Sequence, residues 1–162
     1  MPALKSYVMM YNIFGDEKMK YKKINEEYYI RIDPNEEIME TLEKICEEEK
    51  IHGGHFQGIG ACGKVILSTY LPKTDGFEEH EYNGMLEMAS LMGNVTIDKN
   101  QKITLHAHGV FSYLDENGNP TVVAGHLSKA YVNYTGEIIL KPSEIEISQR
   151  LDIVPKVAVW NI

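Results

Sequence analysis

The sequence predicts an α+β fold, in which a mainly antiparallel β-sheet is flanked by one main helix over about residues 34–50. Two observations support this class. One segment has the apolar periodicity of a helix, and most of the remaining chain has short β-type runs joined by short connections with turn residues. At 162 residues the chain is expected to form one domain with a single core.

The first elements can be read in chain order. Residues 1–18 have no clear period and are interpreted as an extension or an edge strand, and "YYIRI" (28–32) is typical of a short strand. The following "DPNEE" predicts a helix start, with Asp33 as the cap, Pro34 in the first turn and Glu36 completing a capping box.

The body and the end of this helix are also visible in the sequence. Ile38, Leu42 and Ile45 recur at helical spacing, so they are expected to form one apolar stripe against the sheet. Gly53 and Gly54 are predicted to end the helix.

The rest of the chain is typical of β-structure. In "GKVILSTYL" the odd-numbered side chains, Val65 to Leu71, form the more apolar face. "KTDGF" (73–77) and Asp98–Asn100 predict turns. Strands are expected in the four remaining segments: 83–97, 102–114, 121–132 and 135–141.

Charge and composition narrow the function classes. Sixteen basic and twenty-four acidic residues give a formal net charge of −8, and only Arg31 and Arg150 are arginines. Phosphate contacts need clustered positive charge, so nucleic acid is disfavoured as the primary partner. No apolar run is long enough to span a bilayer, and Cys46 and Cys62 have no metal-type spacing. We therefore expect a cytoplasmic protein with two buried thiols and no membrane partner.

The histidines carry the strongest chemical signal. His106 and His108 are two residues apart on a predicted strand, so they point to the same side, opposite an apolar face that includes Ala107 and Phe111. If the hairpin that follows is centred on Asn117, His108 lies opposite His126. The same register places Ser128 opposite His106, and it keeps the apolar residues of both strands on one face.

Three imidazoles on such a patch could bind one metal ion and leave a fourth coordination position open. Three histidine nitrogens favour zinc, although nickel, copper or iron would also accept them. The alternatives are a hydrogen-bonded polar row or part of an interface. His52, His55 and His80 lie in turn-like or acidic surroundings and are expected at the surface.

Two further features have more than one interpretation. "GIGACG" (58–63) matches no phosphate-binding signature and indicates a bulge or close backbone packing. Glu87 lies within the apolar "GMLEMASL", where an unpaired buried carboxylate would be costly. It is a candidate metal ligand, a candidate catalytic base or a buried partner for a cation.

Several of these segments, in this order, resemble the plants-and-prokaryotes conserved (PPC) domain. They are "YYIRIDPNEEIMETLEKICEEEKI", "GIGACGKV", "EMASLMGNV", "LHAHGVF", "AGHLSKAYV" and "TGEIIL". The likeness covers about residues 19–152 and leaves 153–162 as a C-terminal tail. The resemblance implies an antiparallel sheet flanked by a helix, a homotrimer and, in prokaryotic members, a metal site formed by His106, His108 and His126.

Other family positions also fall on this chain. The family's E-x-x-S-L-x-G-N motif matches Glu87, Ser90, Leu91, Gly93 and Asn94, which the resemblance places near the site or the subunit interface. Glu137 and Arg150 match as well. The chain has no "RGRP"-type AT-hook, and "LDIVPKVAVWNI" departs from the family's usual ending.

Three hypotheses about function follow. The first is a stand-alone PPC-domain protein that binds a divalent metal, with zinc favoured, and acts as a small-ligand binder or as a metal-dependent enzyme of unknown reaction, with Glu87 as the candidate base. The second is a DNA-associated regulator, as the family's DNA-binding label suggests. The third, a cupin-type enzyme, also begins with two histidines one residue apart, but Ser112 and Tyr113 stand where cupins place a glutamate.

Overall fold

The computed structural model describes residues 20–151 and 158–162. One helix, α1 (Ile38–Glu49), packs with a six-stranded antiparallel sheet. The strands of the sheet are β1 (Lys20–Ile24), β2 (Glu27–Ile32), β3 (Gly54–Leu71), β4 (Gly76–Ile97), β5 (Ile103–Leu114) and β6 (Pro120–Pro142). A separate ribbon pairs β7 (Gln149–Leu151) with β8 (Ala158–Trp160). The predicted α+β class is confirmed, whereas the segment 1–18 lies wholly outside the described residues.

The sheet order is β1-β2-β6-β3-β4-β5, and β6 also pairs with β5. Strands β3 to β6 therefore close into a ring, and β2 and β1 extend from the C-terminal half of β6. Long strands make this possible, because β6 pairs with β5 near its start and with β2 near its end. The predicted strands 121–132 and 135–141 are in fact this one strand, since Asn133 and Tyr134 continue it without a turn.

The core lies between the inner face of the sheet and α1. The predicted stripe of Ile38, Leu42 and Ile45 is fully buried, and α1 contacts β5 and β6. The predicted inner face of β5 is buried at Ala107 and Phe111. In β3 the predicted apolar face holds for Val65 and Leu67 but ends before Thr69, which is exposed because it lies near the hairpin tip.

The predicted helix start is wrong by four residues. Asn35 has a left-handed backbone (φ 72°), which interrupts any helix from Pro34, and Glu37 is the cap of α1 instead. Its Oε2 accepts a hydrogen bond from the Glu40 amide at 2.7 Å. Half of the predicted capping box does form, because Glu36 accepts from the Asp33 amide, but there it closes a turn before the helix.

The predicted helix end near residue 50 is correct, but Gly53 and Gly54 are not the residues that end the helix. The left-handed residue after the helix is Lys50 (φ 56°), and its amide donates to carbonyls of the last turn, so α1 ends at Glu49. Gly53 has a different role, since a Cβ there would collide with Ser143 Oγ and crowd the Ile145 carbonyl. The glycine is needed for this close packing rather than for the helix end.

The glycine-rich 58–63 segment behaves as predicted. The pairing register of β3 shifts between Gly58 and Gly60 and again between Cys62 and Lys64, so the segment contains bulges. A Cβ at Gly60 would collide with the Thr135 carbonyl of β6. These irregularities let β3 bend while it pairs with β4 and β6 at once.

Candidate metal centre

The β5–β6 hairpin places two of the histidines opposite each other. Gly118 has the left-handed backbone (φ 79°) that the loop requires, and Asp115 Oδ1 accepts from the amides of Asn117 and Asn119. From this loop the register runs to the His108–His126 pair, as predicted. The pairing ends there, because β6 leaves β5 and continues against β3, so the predicted Ser128–His106 pairing does not form.

His106 reaches the same patch from the neighbouring ladder. It lies two residues before His108 on the outer face of β5 and pairs with Asn94 of β4. Close packing holds this register, since a Cβ at Gly93 would collide with the Phe56 ring and approach the His106 carbonyl at 2.7 Å. The three side chains therefore lie together on the face turned away from the core.

The geometry of the three imidazoles is compact. Ring centroids lie 5.2 Å apart for His106 and His108, 5.0 Å for His106 and His126, and 5.6 Å for His108 and His126. One ring nitrogen from each lies within 4.8 Å of the other two. A tetrahedral ion with metal–nitrogen distances of about 2.0–2.1 Å needs nitrogens about 3.3–3.4 Å apart, so small ring rotations would bring the three donors to bonding distance.

The electrostatics of the cluster suit a cation. Partial burial lowers the pKa of His106, and the neighbouring His108 lowers it further. Burial likewise lowers the pKa of His126, with further contributions from His106 and His108. Both rings are therefore held neutral near pH 7, which leaves a lone pair on each for a metal.

Among the described residues, the three histidines are the whole set of candidate ligands at this place. In residues 20–151 and 158–162, no aspartate, glutamate or cysteine belongs to this cluster of candidate ligands. Three imidazole nitrogens with an open fourth position match the donor set of catalytic zinc sites better than that of closed structural ones. The residues present thus fit a divalent metal.

Glu87, the predicted base, lies away from the cluster. It is exposed on the outer face of β4, so the cost of burying it does not arise, and it pairs with Ser112 and Ala61. Ser112 is four residues beyond His108 on β5, which corresponds to roughly 13 Å along the strand. A catalytic role for Glu87 stays a prediction.

The other histidines do not join the cluster. His52 Nδ1 lies 2.8 Å from Glu146 Oε1, His55 is exposed in β3, and His80 is half-buried in β4. The two cysteines are free and buried. Burial raises the pKa of each thiol to about 12, so neither is a ready metal ligand.

Two features next to the cluster were missed from the sequence. The Phe77 ring lies 5.6 Å from the His126 ring, and the Ser68 and Ser128 hydroxyls share a 2.6 Å hydrogen bond beside it. Both depend on how β3 and β4 pair with β6 across several bulges. No local sequence signal indicates that register.

A groove of about 900 Å³ crosses the outer face of β1, β2, β6, β3 and β4. Tyr29, Ile59 and Met92 line it with exposed apolar surface, and Met92 lies opposite His108. Several of the motif positions are also placed here. Ser90, Leu91 and Glu137 line the groove, whereas Asn94 lies beside His106 and Arg150 is in β7.

The fold and the cluster define a small antiparallel β protein with one helix and a three-histidine patch outside its core. The family model of the Plants and Prokaryotes Conserved (PCC) domain matches residues 19–144, and the chain belongs to this family, called PPC above. No curated protein sequence matches the chain. No helix in the described ranges is long and apolar enough to cross a membrane.

Solved structures share the fold. A Bacteroides thetaiotaomicron protein, called a "putative DNA binding protein", is 29% identical with a TM-score of 0.81, over 88% of this chain and 96% of its own. A metal-containing protein from Archaeoglobus fulgidus is 24% identical with a TM-score of 0.74, over 90% and 99%. A PPC protein from Pyrococcus horikoshii is 22% identical with a TM-score of 0.73, over 93% and 98%.

Proposed function

We propose that this protein binds one divalent metal ion per chain, with zinc favoured, through His106, His108 and His126. The observation that carries the proposal is the convergence of three imidazole nitrogens within 4.8 Å on the outer face of β5 and β6. The fold neighbour from Archaeoglobus fulgidus, which is called metal-containing, supports it further. Nickel, copper and iron accept the same donors, so the natural metal is to be identified by metal analysis of the purified protein.

The open position gives the metal a function beyond structure. When bound, such an ion supplies a Lewis acid that can polarise a ligand oxygen or acidify a water molecule. The histidines are held by paired strands of the sheet, so the site is built on rigid elements. We infer a cytoplasmic small-ligand binder or metal-dependent enzyme acting at this position.

Metal analysis of the purified protein tests the proposal. The wild type should hold one metal per chain after loading with Zn²⁺ and removal of the excess. His108→Ala should weaken binding by more than the ~10–100-fold that loss of an outer-shell partner costs. His55→Ala is the matched control, because it removes an exposed histidine outside the cluster and should keep the metal. Equal metal content in all three proteins, or none in the wild type, would refute the site.

Self-association into a homotrimer is the second part of the proposal, and it rests on the family resemblance. The groove supports it, because Ile59 and Met92 expose 58% and 63% of their surface on one face of the sheet. Exposed apolar patches of this kind are typical of protein–protein contacts. A second copy of the chain is the occupant that we propose for the groove.

DNA binding is the alternative function, favoured by the name of the Bacteroides thetaiotaomicron neighbour. The charge opposes it, since the net charge is −8 and Arg31 is already paired with Asp33 at 2.9 Å. A mobility-shift assay with duplex DNA at ~50 mM salt decides the point. We expect no shift; a salt-sensitive shift would favour the regulator.

A further inference from the structure

An apolar strip begins beside the histidines and runs along the β5–β6 hairpin. Val110 and Ala124 pair with each other one row beyond His108 and His126, on the same outer face. The strip continues to Val122 and Leu114, which expose 64% and 68% of their surface. A continuous row of exposed apolar side chains next to a polar cluster is typical of a binding surface.

Phe77 lies against His126, at the end of the histidine cluster where this strip begins. Its ring lies 5.6 Å from the His126 ring at an interplanar angle of 38°, and Tyr70 supports it at 5.5 Å. Phe77 approaches from β4, across β3, where the small Ser68 lies opposite His126. The ring is still 53% exposed, so one of its surfaces remains available to a ligand.

The charge at the histidine cluster indicates which chemical group would bind there. Imidazole is an uncharged ligand, and the described cluster contains no carboxylate, so three histidine ligands would leave the double charge of a divalent ion uncompensated. Glu79 lies in the same row as Ser68 and His126, but two strands from His126, about 9–10 Å away. An anionic oxygen donor is therefore the head group that the site favours.

We propose, resting on the metal site proposed above, that the site binds a small molecule with an anionic oxygen head and a planar apolar body. The head binds the metal, and the body lies between Phe77 and the strip at Val110 and Ala124. Phe77 is then a specificity-determining residue, because an aromatic wall favours a planar apolar group beyond simple area burial.

The test compares two metal-binding probes that differ only in their body. Protein loaded with Co²⁺ is titrated with acetohydroxamate and with benzohydroxamate, and binding is followed by the visible absorption of the metal. The wild type should bind benzohydroxamate about tenfold more tightly. Phe77→Ala should reduce this preference to within about twofold. Tyr134→Ala, which removes an exposed aromatic eight residues beyond His126, should keep the full preference.

The outcomes separate the two proposals. Absence of a cobalt spectrum refutes the metal site and, with it, the ligand. Cobalt binding with equal affinity for both hydroxamates refutes the ligand class alone, as it would if a second copy of the chain covered the strip. If Phe77→Ala keeps the full preference for benzohydroxamate, Phe77 is not the specificity-determining residue.

Discussion

At the scale of single residues, metal binding by the histidine patch requires imidazole rings that are unprotonated and close together. His106 and His126 are partly buried and lie close to other imidazoles, and both effects lower their pKa values. Proton and metal compete for the same nitrogens. The environment that disfavours the proton therefore leaves the lone pairs ready for an ion.

This arrangement predicts how the stability of the metal-free protein depends on pH. The pKa values of His106 and His126 are lower in the folded chain than the ordinary value of 6.5, so the unfolded chain takes up protons first as pH falls. The free energy of unfolding should thus be highest above pH 6.5 and should fall as the pH drops below it. Urea unfolding at pH 8, 6.5 and 5.5 measures this.

The control for that experiment is His126→Gln, which removes one titrating ring. In this variant the free energy of unfolding should decrease less between pH 6.5 and 5.5. Asp33, Asp98 and Asp115 also have lowered pKa values, but they lose their stabilising effect only at more acidic pH, near and below their ordinary value of 3.8. A stability that rises between pH 6.5 and 5.5 would contradict the prediction.

At the scale of secondary structure elements, one side chain joins the helix to the sheet. Glu37 is buried, with 6% of its surface exposed, and its two carboxylate oxygens have separate partners. One accepts from the Glu40 amide in the first turn of α1, and the other accepts from the Ala130 amide of β6, each at 2.7 Å. The cap of the helix is therefore also a contact to the strand that carries His126.

Replacing this cap should be costly. Glu37→Ala removes both acceptors and leaves the buried Ala130 amide without a partner, so we expect a loss of about 2–4 kcal/mol in the free energy of unfolding. Glu40→Ala, in the same turn but exposed, should stay within about 0.5 kcal/mol. Urea denaturation compares the two variants, and equal effects would show that Glu37 has no special role.

At the scale of the whole molecule, the closure of strands β3 to β6 into a ring explains how both the histidine patch and the groove form. Pairing of β6 with β5 brings His126 to the other histidines, and pairing of β6 with β2 forms one side of the groove. A single long strand thus links the candidate metal site to the surface that we propose for self-association. The groove reaches the histidines at Met92, opposite His108.

The groove makes self-association testable. Wild-type protein should show a mass three times that of the 18.4 kDa chain in size-exclusion chromatography with light scattering. Ile59→Glu places a charge in the apolar groove, opposite Glu137, and should yield the single-chain mass. Ile145→Glu, at an exposed position outside the groove lining, should leave the assembly intact. A wild type that elutes at the mass of one chain would contradict the proposal.

Much of the fold could be predicted because it depends on local patterns. The stripe of Ile38, Leu42 and Ile45 identified α1, and the glycine-rich segment of β3 indicated bulges. The errors arose where local signals compete. Asp33 and Pro34 are typical of a helix start, but the left-handed Asn35 turns the chain first, and the cap at Glu37 depends on a contact with the distant Ala130.

The sequence alone determined that three histidines share one face of a hairpin. The two-residue spacing of His106 and His108, the short loop around Asn117 and the apolar alternation of both strands are local patterns, and together they predicted the observed His108–His126 register. Only the tertiary structure decided what surrounds the patch. The distance of Glu87 from the histidines, the approach of Phe77 and the groove all depend on β3 and β4, whose bulged pairing joins residues far apart in the chain. Such pairing follows from packing, which no short stretch of sequence encodes.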